Sequence, residues 1–91
     1  MPEPAPAPVV SVLYFAALRE LAGTSEERID LAQSASSVSV AELLATLEQK
    51  HDGLRGRLGA VRVAINEEFV EIGSPLHSGD VVALIPPVSG G

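Results

Sequence analysis

The chain has no cysteine and no tryptophan, and its 91 residues include only one tyrosine and two phenylalanines. Without cysteine there is no disulfide framework, no thiolate metal site and no thiol nucleophile. Positive charge is scarce: six Lys and Arg stand against twelve Asp and Glu, for a net charge of −6 and an isoelectric point near 4.7. An acidic chain is repelled by phosphate backbones and anionic lipid, which argues against nucleic-acid and membrane partners. Long apolar runs are also missing. The longest, over residues 9–18, is about half of what a membrane-spanning helix needs. The N-terminus lacks the basic region and cleavage pattern of a secretory signal, so a cytoplasmic protein is expected. What remains is 46% hydrophobic and 20% charged, enough for one small packed domain and too little for a two-domain enzyme.

Proline at positions 2, 4, 6 and 8 fixes φ and removes donors, so residues 1–8 read as a solvated, extended, proline-rich tail that joins no sheet. The domain is expected over residues 9–86. Val9 to Phe15 is rich in β-branched and aromatic residues and predicts a strand. Helix formers from Ala16 to Ala22 follow, with Gly23 placed as a left-handed cap. Glu27 to Leu31 alternates as a second strand with Ile29 and Leu31 inward.

The strongest helix signal covers residues 39–51. Ser39 and Glu42 have capping-box spacing, Val38 and Leu43 suit a hydrophobic staple, and Val40, Leu43, Leu44 and Leu47 make one apolar stripe. Gly53 is expected to stop this helix. His51 and His77 are the only imidazoles, and with no cysteine to join them no metal site is expected. Val61 to Ile65 and Phe69 to Ile72 predict a hairpin turning at Asn66-Glu67, with Glu67 and Glu68 a solvated charge pair. Val81 to Ile85 is the final strand.

Strands flanking one amphipathic helix predict an α+β roll. The first and last strands are the most apolar, so they belong at the centre, side by side and parallel. This is the β-grasp, ubiquitin-like arrangement, a mixed sheet of about five strands over one main helix, with a short first helix. Val10, Val12 and Tyr14 then face the helix, and so do Val82 and Leu84. Leu13 and Phe15 lie beside Ala83 and Ile85 on the open face, an apolar patch suited to a protein partner. The alternatives are a covering loop or the opposite facing. Pro86-Pro87 ends the ladder, and from Pro87 onward Val88, Ser89, Gly90 and Gly91 form an extended tail reaching roughly 15–18 Å. Two glycines without side chains suit a narrow channel, and an unhindered carboxylate suits adenylation followed by attack of a sulfur or nitrogen nucleophile.

Several segments resemble one family: Val12-Leu13-Tyr14-Phe15-Ala16-Ala17-Leu18-Arg19-Glu20-Leu21-Ala22-Gly23, Val63-Ala64-Ile65-Asn66, Pro75-Leu76 through Gly79-Asp80, and above all Ala83-Leu84-Ile85-Pro86-Pro87-Val88-Ser89-Gly90-Gly91. Over residues 9–91 the chain is similar to the small subunits of molybdopterin synthase, the MoaD family of sulfur carriers in molybdenum cofactor biosynthesis. The thiamin-pathway carriers of the ThiS type share the fold and the Gly-Gly end, but as a rule lack the Pro-Pro-Val segment.

The resemblance implies that an E1-like enzyme of the MoeB type uses Mg-ATP to adenylate Gly91. A sulfur donor then leaves a thiocarboxylate, which gives its sulfur to cyclic pyranopterin monophosphate inside a MoaE-type large subunit. Two carriers on two large subunits, a heterotetramer, are implied as well. The chain itself is then a non-catalytic cosubstrate with no bound cofactor, and Leu13, Phe15, Arg19, Ala83 and Ile85 are the docking residues. The acidic domain offers no base or cationic cradle near the tail, so catalytic lysines and arginines are expected on the partner. A ubiquitin-like modifier conjugated through Gly91, a ThiS-like carrier of another pathway, and a binding module in which Gly-Gly is incidental are the other readings.

Overall fold

A computed structural model describes residues 9–31 and 38–87; the proline-rich tail assigned to residues 1–8 and the Val88, Ser89, Gly90 and Gly91 segment lie outside them. The elements follow in the order β1 (Val9–Tyr14), α1 (Ala17–Ala22), β2 (Glu26–Asp30), β3 (Val38–Ser39), α2 (Val40–Lys50), a 3-10 turn (Asp52–Leu54), β4 (Arg62–Ile65), β5 (Glu68–Val70), β6 (Pro75–Leu76) and β7 (Val81–Ile85). Five strands form one mixed sheet in the order β2-β1-β7-β4-β5. β1 and β7 are central and parallel, with Leu13 opposite Ala83, while β2, β4 and β5 join antiparallel. The predicted β-grasp roll is therefore the observed one. No helix among the described residues is long and apolar enough to cross a membrane.

The alternation read from the sequence sets the facing. Val10, Val12, Val82 and Leu84 are 0–1% exposed and join Leu43 and Leu47 of α2, both at 0%, in one core. Burying each Val or Leu of this kind contributes about 1.5–3 kcal/mol. The Ser39 hydroxyl accepts the amide of Glu42, as the capping-box spacing predicts. Two more amides at this helix start are taken by tertiary partners: Val40 N–H donates to the Ser74 carbonyl and Ala41 N–H to that of Ile72. The same region forms a second small ladder, with β3 antiparallel to β6. Pairs of extended residues this short leave no alternation to read, and the sequence offers only a Ser74-Pro75 bend there.

Gly23 adopts φ 80° and its amide closes α1 onto the Arg19 carbonyl, the left-handed cap expected of it. The role assigned to Gly53 needs correction. α2 ends at Lys50, and Gly53 sits inside the 3-10 turn that follows. A β-carbon there would come within 2.5 Å of the Leu21 carbonyl oxygen. The glycine is required because the turn packs directly on the backbone of α1, a reason no local pattern reveals.

One half-buried polar cluster joins the end of α2 to the sheet. Glu27 on β2 accepts from the Tyr14 hydroxyl (2.5 Å) and His51 Nε2 (2.6 Å) on one oxygen, and from Lys50 Nζ (2.8 Å) on the other. The Tyr14 and His51 rings meet edge to face at 6.2 Å. Burial on its own would raise the Glu27 carboxyl, but the hydrogen bonds from Lys50, Tyr14 and His51 outweigh it and hold the group below its ordinary value of 4.5. Burial, then the hydrogen bond to Glu27 and its charge, push the Tyr14 phenol well above the usual tyrosine range.

A carboxyl lowered in the folded state stabilises the fold at pH above its unfolded value, and that contribution is lost as pH falls through the folded one. Melting temperature is therefore expected to decline as pH drops below about 4.5, and the Glu27→Gln variant should show a shallower decline over the same window. Thermal melts from pH 6 down to about pH 3 check this; parallel curves for the two proteins would refute it.

Candidate functional site: the open face of the sheet

The face of the sheet turned away from α2 carries a groove of about 400 Å³ lined by Leu13, Phe15, Asn66, Glu67, Val81 and Ala83. Its floor comes from the two central strands. Parallel pairing of β1 with β7 sets Leu13 beside Ala83, and the Phe15 amide continues the ladder by donating to the Leu84 carbonyl. Three of the residues read as a docking patch, Leu13, Phe15 and Ala83, thus line one groove. Ile85 shares their face as the next outward residue of β7, half-buried and across from Arg62 of β4. Arg19 is exposed on α1 and lies outside the groove lining. No loop of the described residues covers the patch: Phe15 remains 45% exposed and Val81 38%.

The chain leaves β1 through Ala16, whose φ of 52° and ψ of −131° are unfavourable for a residue with a β-carbon. This abrupt turn starts α1 immediately behind Phe15, so Leu18 is buried while the Phe15 ring stays on the open side.

At the opposite end, Asn66 (φ 50°) and Glu67 (φ 73°) form a two-residue left-handed turn between β4 and β5. The Asn66 side chain accepts from the Val81 amide (3.0 Å) and donates to Asp80 Oδ1 (3.1 Å). Asp80 in turn accepts from the His77 amide (2.8 Å). The hairpin turn is thereby pinned to the start of β7. Glu67 is part of the groove and not merely half of a solvated charge pair.

The apolar face extends further than the sequence reading placed it. Phe69, 60% exposed, stands opposite Ala64 on the same side, under the Arg62 guanidinium 4.5 Å from the ring centroid, a cation–π contact. The two-residue turn held the signal: it fixes the register so that Phe69 must face as Ala64 does.

β7 ends at Ile85, and Pro86 and the exposed Pro87 leave the sheet at its Phe15 end. The remaining tail residues named as entering a partner, Val88, Ser89, Gly90 and Gly91, lie outside the described residues. Among the described residues, no three His, Asp or Glu side chains are grouped so as to hold a metal ion. The geometry offers an exposed apolar groove with the chain leaving one end of it, and the Glu67 carboxylate at the other.

The sequence pattern of the ThiS family matches residues 12–91. The human molybdopterin synthase sulfur carrier subunit is 36% identical over 85 residues, covering 90% of this chain and 93% of that protein. The Chlamydomonas reinhardtii protein of the same name is 38% identical over 84 residues, covering 90% and 98%. Among solved structures, a putative molybdopterin converting factor subunit 1 from Pyrococcus furiosus superposes with a TM-score of 0.80 at 31% identity, over 90% of this chain and all of that one. The small archaeal modifier protein 1 of Haloferax volcanii gives 0.79 at 28% identity, with the same coverage. A protein–protein complex of subunits 1 and 2 of the molybdopterin-converting factor from Helicobacter pylori gives 0.64 at 32%, covering 91% and 99%.

Proposed function

The chain belongs to the ThiS family, and from that premise we propose that it is the sulfur carrier subunit of a molybdopterin synthase, loaded at the Gly91 carboxylate. An E1-like enzyme brings Mg-ATP. A Gly91 carboxylate oxygen attacks the α-phosphorus, pyrophosphate leaves, and an acyl adenylate forms. Hydrosulfide adds to the acyl carbon, AMP departs and the S–H proton is lost to solvent, leaving the thiocarboxylate. The charged carrier then docks through the groove on a large synthase subunit, two carriers to a pair of large subunits. Its tail presents the sulfur to the cyclic pyranopterin monophosphate bound there. All of this takes place in the cytoplasm, and the carrier contributes no catalytic side chain.

The observation that carries this reading is positional. The family match runs on through residue 91, past the point where Pro86 and Pro87 leave the sheet beside the Phe15 end of the groove. Docking surface and tail are thus adjacent, so a partner seated on one is within roughly 15–18 Å of the end of the other. Glycine at both final positions lets the backbone enter a channel that any side chain would block. The Helicobacter pylori complex of subunits 1 and 2 supports a large-subunit partner.

Intact-mass measurement after incubation with an activating enzyme, ATP and sulfide should show one oxygen-to-sulfur exchange on the full chain. Transfer to the large subunit with pterin substrate should then return the original mass. An unmodified chain, with a control carrier loaded in parallel, refutes the proposal. The similarity to the Haloferax volcanii modifier favours a second reading, conjugation of Gly91 to lysine amines. Ladders of heavier species in a cell extract would establish it.

A further inference from the structure

We propose that Glu67 is a specificity-determining contact of the docking groove: its carboxylate is held at the end remote from the tail to pair with a cationic side chain of the segment that docks there. The inference rests on the docking role proposed above and adds the polarity of the docked partner.

A two-residue hairpin of this hand requires positive φ at both central positions. Asparagine tolerates the first, and glycine is the usual occupant of the second, because a β-carbon is strained there. Here the second position is Glu67, at φ 73°, so local stability is given up to keep this side chain. The turn has no freedom to relax. Asn66 donates its amide to the Val81 carbonyl (2.9 Å) and is bracketed by the Val81 amide and Asp80. Glu67 itself lines the groove with Leu13, Val81 and Ala83, and no cation among the described residues pairs with it.

The groove floor is apolar, and apolar contact supplies affinity with little power to fix the direction of a docked segment. A single charge at one end does. Glu67 lies beside Val81, and the tail leaves beyond Ile85, roughly 13 Å away along the strand. A partner segment with apolar side chains and one Lys or Arg, seated with that cation on Glu67, is fixed in one direction. Its other end then meets the outgoing tail. The occupant is of opposite charge to a chain whose net charge is −6.

The test uses the full chain and the large synthase subunit, titrated at several salt concentrations, with Glu67→Gln and Glu67→Gly variants. Glu67→Gln keeps the strained turn and removes the charge. It should melt at the wild-type temperature, yet bind roughly 5- to 20-fold more weakly and with a reduced dependence on salt. Glu67→Gly relieves the turn and should melt a few degrees higher, by about 2–6 °C, yet bind as weakly as Glu67→Gln. Wild-type affinity and salt dependence in the two variants overturn this inference alone. A wild-type chain that does not bind the large subunit overturns the docking role, and the inference with it.

Discussion

A chain lacking Gly91 is expected to accept sulfur at least about 100-fold more slowly than the full chain, and a chain whose terminus is blocked as an amide should accept none. The two variants separate chemistry from reach. Deletion still leaves a glycine carboxylate, now on Gly90, with the same intrinsic reactivity. That carboxylate falls about 3.5 Å short of its former position, and misplacement by even 1 Å in a channel that aligns a carboxylate with ATP costs on the order of 10²-fold. The amide replaces the anionic carboxylate with a neutral group whose carbonyl oxygen does not attack ATP. Both should melt with the wild type, because the core draws on residues between Val10 and Leu84. Intact mass after activation, read as a time course, measures the effect. Loading of the amide-blocked chain would remove the terminal carboxylate from the mechanism.

The second large effect is expected at Ala83. It stands in the middle of the groove floor, between Leu13 on β1 and Ala64 on β4. Its side chain points away from the core, so an arginine there extends into solvent and leaves the fold intact. Under a docked partner the same arginine becomes a charge without a counter-ion in an apolar interface. Ala83→Arg should weaken binding to the large subunit by about 2–4 kcal/mol, or roughly 30- to 1,000-fold. Titration calorimetry beside a thermal melt checks both halves. Wild-type affinity in a folded Ala83→Arg variant would place the docking surface elsewhere on the molecule.

These two predictions draw on information of different origin. The interior and exterior of β1 and β7 were legible as alternation: Val10, Val12 and Tyr14 against Ser11, Leu13 and Phe15, and Val82 and Leu84 against Ala83 and Ile85. In a strand the side-chain direction changes with every residue, so a run of five or six residues carries its own facing. The cap at Gly23 and the start of α2 at Ser39 were equally visible, because a left-handed residue and an N-cap oxygen act on groups within one helical turn. The Pro-Pro-Val-Ser-Gly-Gly end carries its chemistry in the sequence itself, a carboxylate free of side-chain obstruction.

Other features were silent until the chain was folded. Glu27 and His51 are 24 residues apart, and nothing in either neighbourhood shows that one carboxylate gathers Tyr14, Lys50 and His51. Gly53 looked like a helix stop because its true constraint, the Leu21 carbonyl, belongs to another helix. Glu67 has only the local signature of a solvated charge, since the bonds that pin its turn run from Asn66 to Asp80 and Val81, 14 and 15 residues along.

Periodicity, caps and terminal chemistry are therefore written in the order of residues, because the forces behind them act within a turn of helix or a few residues of strand. Which carboxylate meets which cation, and which turn is strained in order to hold a charge beside the groove, are set only when β1, β4 and β7 come together. Those contacts join groups that are close in space and distant along the chain.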